Sequence, residues 1–349
     1  MSLPRSVETA EVGGKRVLVR ADLNVPLENG AVADDTRIRA AVPTIRLLLD
    51  RDAAEVAVCS HLGRPKGHDP AFAIAPVAAR LQELVADERL RVLENTRFDP
   101  GETKNDPDTA RRLAEGMDVY VDDAFGSAHR AHASTEAVAH LLPAYAGLLL
   151  IAELEHLGRL LGDVARPFAL VAGGAKVEDK LGVLRNLGGR ADTVIVGGKM
   201  AEELRGGATL PFPVELPSDV VAAASFDAEA ESRVTPYDDL PDGWFGLDIG
   251  PDSRERFGEL IRGAKTVFWN GPMGVFEWEQ FAAGTKAVAE AVAAVDGYTV
   301  VGGGDSVRAI SELSLDDDVD WVSTGGGASL ELLEGKVLPG VAAIPENSG

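Results

Sequence analysis

Short apolar runs punctuate this chain and end abruptly in glycine or in charged residues. In the first half they are Arg16–Arg20, Glu55–Cys59, residues 91–94 and residues 118–121. Runs this short, rich in Val and bounded by polar segments, predict strands. Between the first two, Val42, Ile45, Leu48 and Leu49 recur at helical spacing and predict a helix over residues 40–51, with Pro43 near its start, where a missing N–H is tolerated. Leu150, Leu154, Leu157 and Leu161 share one stripe, so residues 148–161 read as a helix. Pro167 follows, and a second series of strands begins with Phe168–Ala172, Thr193–Val196 and residues 298–301. Strands alternating with helices predict βαβ units and parallel sheets, here in two α/β domains bridged by the helix at 148–161.

The strands of the second series run into glycine. Residues 168–172 meet Gly173-Gly174-Ala175-Lys176, and residues 193–196 meet Gly197-Gly198. Residues 298–301 meet Gly302-Gly303-Gly304-Asp305-Ser306, and the run ending at Val322 meets Ser323-Thr324-Gly325-Gly326-Gly327, followed by a good helix former. Glycine lets backbone amides approach an anion closely, and a following helix adds unpaired N–H groups and the positive end of its dipole. Four such loops predict strand ends that all face one phosphate-bearing ligand.

The first series ends differently. Arg20-Ala21-Asp22-Leu23-Asn24 leaves one strand, Asp35-Thr36-Arg37 leads towards a helix, and Ser60-His61-Leu62-Gly63-Arg64 leaves another strand. Arg97 follows a third and His129-Arg130 a fourth. Arginine is the preferred bidentate partner of phosphate and carboxylate. Arg20, Arg37, His61, Arg64, Arg97, His129 and Arg130 are therefore expected to converge on a small anion, with Asp22 and Asn24 holding arginines and hydroxyls. His132 reads as structural, the histidines lack metal-ligand spacing, and the four Trp and scattered Phe read as core. Lys176 and Lys180 lie four residues apart at a helix N-terminal end, an awkward placement without a bound anion.

Composition narrows the setting. The chain has 349 residues, 45% hydrophobic and 26% charged, enough for two full cores. The formal net charge of -22 argues against nucleic-acid binding. Of the 34 basic residues only nine are Lys, an acid-rich, lysine-poor balance like that of proteins from salty cytoplasms; full stability without salt would sink that reading. A single Cys59 fits a reducing cytoplasm, and the longest apolar stretch, residues 144–152, is too short for a membrane span. No G-x-G-x-x-G follows a strand and no G-x-x-x-x-G-K-[ST] occurs, which disfavours a dinucleotide-binding dehydrogenase and a P-loop NTPase.

Together the segments RADLNVPL (20–27), SHLGRP (60–65), DDAFGSAHRAH (122–132), GGAKVEDK (173–180), WNGPMGVFE (269–277), GGGDS (302–306) and STGGGASLELLEGK (323–336) resemble the phosphoglycerate kinase family, in family order and over nearly the whole chain. The resemblance implies two Rossmann-like α/β domains with parallel sheets joined by a helix and hinge: a phosphoglycerate-binding domain over 1–147, with 330–349 packing back on it, the helix at 148–164, and a nucleotide-binding domain over 165–329. It implies that Asp22, Asn24, Arg37, His61, Arg64, Arg97, His129 and Arg130 bind 3-phosphoglycerate or 1,3-bisphosphoglycerate. ADP or ATP would be held by Gly174, Lys176, Lys180, Gly198, Asn270, Glu277, Gly302, Gly303, Gly304, Asp305 and Ser306. Glu277 would face the ribose and Asp305 would help hold the nucleotide's Mg²⁺. The implied protein is a cytoplasmic monomer with no membrane or nucleic-acid partner.

The implied reaction moves a phosphoryl group between two oxygens that are already anionic, so no general base is needed. Alignment and charge neutralisation are, and Arg37, Lys176 and the amides of Gly325, Gly326 and Gly327 are the expected catalytic groups. Half-sites on two domains imply closure about the bridging helix. The chain departs from the family at Lys199 and Met273, between residues 86 and 90, where a strand and helix are skipped, and between residues 200 and 220, where a helix beside the adenine pocket is skipped. An inactive phosphate-ligand or nucleotide binder of the same fold is the alternative.

Overall fold

Apolar runs this short are buried end to end only where both faces of a sheet are covered. The computed structural model, which describes residues 2–175 and 178–347, shows that arrangement twice. Chain contacts divide the protein within one helix, into Met1–Glu155 with Val337–Gly349 and His156–Lys336.

The first unit carries β1 (Arg16–Arg20), a small hairpin of β2 (Leu27–Glu28) and β3 (Ala31–Val32), β4 (Glu55–Cys59), β5 (Leu90–Val92), β6 (Val119–Asp122) and β7 (Ala144–Ala146). Its five-stranded sheet runs β5-β4-β1-β6-β7, parallel throughout. Arg20 pairs in register with Cys59 on one side and Asp122 on the other, so three strands end side by side. Val17, Leu18 and Val19 are wholly buried, as are Val56, Ala57 and Val58.

Helix α1 (Thr36–Asp50) starts earlier than its apolar stripe. Asp34 Oδ1 accepts from the Thr36 N–H at 2.8 Å and from its hydroxyl at 2.6 Å, which begins the helix on polar residues. Arg37 therefore lies in the first turn rather than in a leading loop, and Pro43 lies inside the helix rather than near its start. Helices α2 (Ala75–Val85) and α3 (Pro107–Ala114) complete the crossovers. The bridging helix α4 (Leu148–Leu161) begins on Asp123, whose Oδ1 accepts from the N–H groups of Leu149 at 2.9 Å and Leu150 at 3.3 Å. A carboxylate at that end complements the helix dipole.

The second unit repeats the scheme with β8 (Phe168–Ala172), α5 (Glu178–Leu187), β9 (Thr193–Val196) and α6 (Gly198–Arg205). An antiparallel sheet follows, of β10 (Asp219–Ala223), β11 (Ser232–Pro236) and β12 (Phe245–Ile249) in the order β11-β10-β12. The chain continues through α7 (Pro251–Arg262), β13 (Thr266–Asn270), α8 (Ala283–Ala293), β14 (Tyr298–Gly302), α9 (Gly304–Glu312), β15 (Trp321–Val322) and α10 (Gly327–Leu333). The main sheet runs β15-β14-β13-β8-β9 and is parallel. Trp269 is fully buried in its core. The other tryptophans are half-buried, against expectation: Trp321 stacks on His156 at 4.1 Å and Trp278 leans on exposed Phe226 at 4.8 Å.

Asp248, near the end of β12, accepts from the Gly284 N–H through Oδ2 at 2.7 Å, while its buried Oδ1 has no partner. Burial pushes this carboxyl up to about 7. In the unfolded chain it would ionise near pH 3.9. Between those values the unfolded chain releases a proton that the native protein keeps, so this residue costs stability increasingly as pH rises from about 4 to about 7. Asp248→Asn removes that loss. The melting temperature of the variant relative to the parent should climb with pH across the window and level off above it; a flat or falling difference would refute the assignment.

Candidate functional site

In the first unit the parallel register delivers basic side chains to one edge of the sheet. Arg97 rides a short turn at Thr96–Phe98 after β5, held by Asn95, whose Oδ1 accepts from the Arg97 N–H at 3.1 Å and from the Leu62 N–H at 3.2 Å. With Arg64, Arg130, Lys66, His132 and Thr103 it lines a cavity of about 600 Å³. Arg97 donates to the Gly63 carbonyl, while its buried Nε has no partner. Burial and then the neighbouring Arg130 and Arg20 push its guanidinium below the usual arginine range. Like charges crowded in a concave, half-buried site are costly until an anion enters.

Arg37 pairs with Asp22 at 3.1 Å. Burial works to raise Asp22, but the Arg37 guanidinium first, with Arg20 and the hydrogen bond from the Asn24 N–H, outweighs it and holds the carboxyl below its ordinary value. The Asn24 Oδ1 accepts from the Gly63 N–H at 2.8 Å, tying the β1 exit to the β4 exit. Arg130 Nε donates to His129 Nε2 at 3.0 Å. The cavity thus gathers Arg64, Arg97 and Arg130, while Asp22, Asn24, Arg37, His61 and His129 stand outside its lining. Arg20 corrects the expectation that it meets the ligand: it is fully buried and bonded to the protein on every side. His132, expected to be structural, lines the cavity, and burial followed by Arg97 lowers it to about 4. Cys59 is excluded from nucleophilic chemistry, because burial pushes its thiol up to about 12.

In the second unit the exits of β8, β13 and β14 are stitched together. Asn270 Nδ2 donates to the Gly302 carbonyl at 2.9 Å, Ser306 Oγ accepts from the Gly271 N–H, and Lys180 Nζ donates to the carbonyls of Gly173 and of Asn270, the latter at 3.2 Å. A cavity of about 690 Å³ opens there, lined by Gly303, Gly304, Asp305 and Ser306 on one side and Gly326 and Gly327 on the other, with Lys180 and Asn270 at its floor. The Gly325 N–H turns back to Ser323 Oγ at 3.3 Å, so two of the three expected amides line this space. Gly174, Gly198 and Gly302 lie outside the lining; Gly198, at φ +60, belongs to a small void beside Met273. Glu277 pairs with Arg308 at 3.2 Å. Lys176 lies outside the described residues. Sequence reasoning missed Glu331, Glu334 and Lys336, although the last motif contains them; the i,i+3 spacing of the two glutamates after the triple glycine was the available signal, and Lys336, past the end of α10, pairs with Glu334 at 2.5 Å.

The two skipped segments have definite replacements. Ala86, at φ +55, closes α2 and one turn leads into β5. After α6, residues 206–214 return the chain to the sheet edge, where Glu215 accepts from the Val196 N–H at 3.0 Å and donates to the Val194 carbonyl at 2.7 Å.

A sequence model of the phosphoglycerate kinase family matches residues 7–91, 85–206 and 208–336, with breaks at the two shortened places. Phosphoglycerate kinase of Rubrobacter xylanophilus is 50% identical over 386 aligned positions, covering 98% of both chains, and that of Moorella thermoacetica 49% over 389, covering 98% of this chain and 99% of its own. Both alignments are longer than the 349 residues here, so the relatives carry residues without a counterpart. The solved structure of phosphoglycerate kinase from Coxiella burnetii superposes with a TM-score of 0.89 at 36% identity, covering 98% of each chain. The chain belongs to the phosphoglycerate kinase family, whose enzymes reversibly transfer a phosphoryl group from 1,3-bisphosphoglycerate to ADP in glycolysis.

Proposed function

We propose that the first unit binds phosphoglycerate through Arg64, Arg97 and Arg130, with Asp22, Asn24, Arg37, His61 and His129 completing the site, and that the second holds ADP or ATP across its glycine loops. The observation that carries this reading is Arg97, crowded by like charges and with a partnerless buried Nε, in a cavity of about 600 Å³. An entering phosphate or carboxylate supplies the missing acceptor and relieves the repulsion.

A β-phosphate oxygen of ADP attacks the acyl phosphate phosphorus, the bond to the acyl oxygen breaks, and the carboxylate of 3-phosphoglycerate leaves with the electron pair. No proton moves. Arg37 and the amides of Gly326 and Gly327 neutralise charge on the migrating group, and Lys176 is assigned the same role. Each loaded half-site works only when the two are brought together.

Asp305 lies in the first turn of α9 and lines the nucleotide cavity. Among the described residues no cluster of three acidic, histidine or cysteine side chains could hold a metal alone. That donor set fits Mg²⁺, which favours a carboxylate plus substrate phosphates. When bound, Mg²⁺ offsets phosphate charge and fixes the nucleotide's phosphates. Among the described residues no helix is long and apolar enough to cross a membrane. We read the chain as a cytoplasmic monomer on its family resemblance alone.

Coupled assay of ATP formation from 1,3-bisphosphoglycerate tests this reading directly; binding of both substrates without turnover would leave the inactive binder. Arg97→Gln should raise the KM for 3-phosphoglycerate roughly 10–100-fold, the worth of a lost hydrogen bond to a charged group. An unchanged KM would remove Arg97 from the site.

A further inference from the structure

Arg20 is an unusual residue to bury completely, and no carboxylate lies within ion-pairing distance of it among the described residues. Its guanidinium is instead distributed over neutral acceptors. Nε donates to Ser134 Oγ at 2.8 Å, and that hydroxyl donates to buried Glu102 at 2.6 Å. Nη1 donates to the Ala21 carbonyl. Nη2 faces Ser127 Oγ at 3.4 Å and, more closely, His61 Nδ1 at 3.1 Å.

Arginine has donors only. The His61 nitrogen facing it must accept, so Nδ1 carries a lone pair and the ring proton of a neutral imidazole sits on Nε2. Protonating Nδ1 would set one N–H against another. We propose that Arg20 is a positioning residue: through Nδ1 it fixes His61 as the Nε2–H tautomer, so that a neutral ring gives the phosphoglycerate site one permanent hydrogen-bond donor. The groups around the ring agree. Burial lowers His61 well below its ordinary value, Arg20, Arg97 and Arg130 push the same way, and Asp22 alone opposes them. Phosphoglycerate affinity then gains a donor that does not titrate between pH 6 and 8, unlike an ordinary histidine.

Long-range ¹H–¹⁵N spectra of the full chain labelled at histidine, with His61 assigned by its loss in His61→Gln, read the tautomer directly. The expected result is an unprotonated Nδ1 and a protonated Nε2 from pH 5.5 to 8. A proton on Nδ1, or a ring titrating near pH 6.5, would overturn the proposal. This measurement stands even if Arg20 variants do not fold. Where Arg20→Met folds, it and His61→Gln should each raise the KM for 3-phosphoglycerate roughly tenfold, and the double variant no more than either. Arg20→Met should also acquire a KM that varies with pH between 6 and 7. Additive effects, or a flat profile in that variant, would show that Arg20 does not act through His61.

Discussion

Arg37→Ala should lower kcat by about 10²–10³-fold while changing the KM for 3-phosphoglycerate by less than about fivefold. The size is that of removing one donor aimed at charge that develops in the transition state. The asymmetry follows from where the side chain sits. Arg37 stands in the first turn of α1, half-buried and outside the cavity that gathers Arg64, Arg97 and Arg130, so ground-state binding keeps its main partners. One Nη1 bond reaches Asp22 at 3.1 Å, which orients the guanidinium and leaves its other donors for the migrating phosphoryl. Losing the cation also removes the strongest attraction that holds Asp22 below its ordinary value. Arg37→Lys should recover only part of the loss, since lysine restores charge but not the planar fork. Steady-state kinetics in both directions decide the matter: near-normal turnover in Arg37→Ala would end its catalytic assignment, and an equal rise in KM would make it a binding group.

The strands and the glycine loops were legible because their physics is local. A fully buried run of Val and Leu reads as a parallel strand wherever it occurs, and β1, β4, β8, β9 and β14 were read that way. The antiparallel sheet was not read. Three consecutive residues of β11, Ser232, Arg233 and Val234, are exposed, so the strand shows no alternation to detect. The start of α1 was hidden because an Asp34 side chain, not an apolar residue, sets it. At the site, sequence could name arginines at strand exits but could not tell which point into the cavity. Arg20 and Arg97 have the same signature in sequence, yet one is sealed inside the sheet edge and the other lines open space. Burial depends on residues distant in the chain, here Ser134 and Glu102, more than eighty positions from Arg20. The same reason hid Asp122, Asp123 and Asp248, each a polar letter in a loop-like context and each raised to about 7 by burial.

Gly271→Ala should be the most damaging single methyl in the nucleotide half-site. Gly271 follows β13 with φ +99, a conformation that an L side chain adopts only with strain. A Cβ there would fall on Lys180 Nζ and 2.2 Å from the Gly173 carbonyl oxygen. Lysine can swing aside, but the carbonyl belongs to the β8 exit and cannot move without dragging the loop that leads to Gly174 and Ala175. The Gly271 N–H is also the donor to Ser306 Oγ, which sits in the first turn of α9 and lines the cavity. Strain, a backbone clash and a displaced cation therefore act together, and the expected loss of stability is about 3–5 kcal/mol, within the range for backbone strain combined with overpacking. Chemical denaturation measures that. ADP binding supplies the functional half of the test. If the variant folds, its Kd for ADP should rise at least roughly tenfold while 3-phosphoglycerate still stabilises it, because the arginine cavity lies in the other unit and shares no residue with this loop. Gly189→Ala, in the same unit but outside the cavity lining, where a Cβ meets nothing and φ is not positive, is the control and should bind ADP with less than about threefold change. Equal behaviour of the two variants would show that the crossing of β8, β13 and α9 at Gly271 does not shape the phosphate cradle.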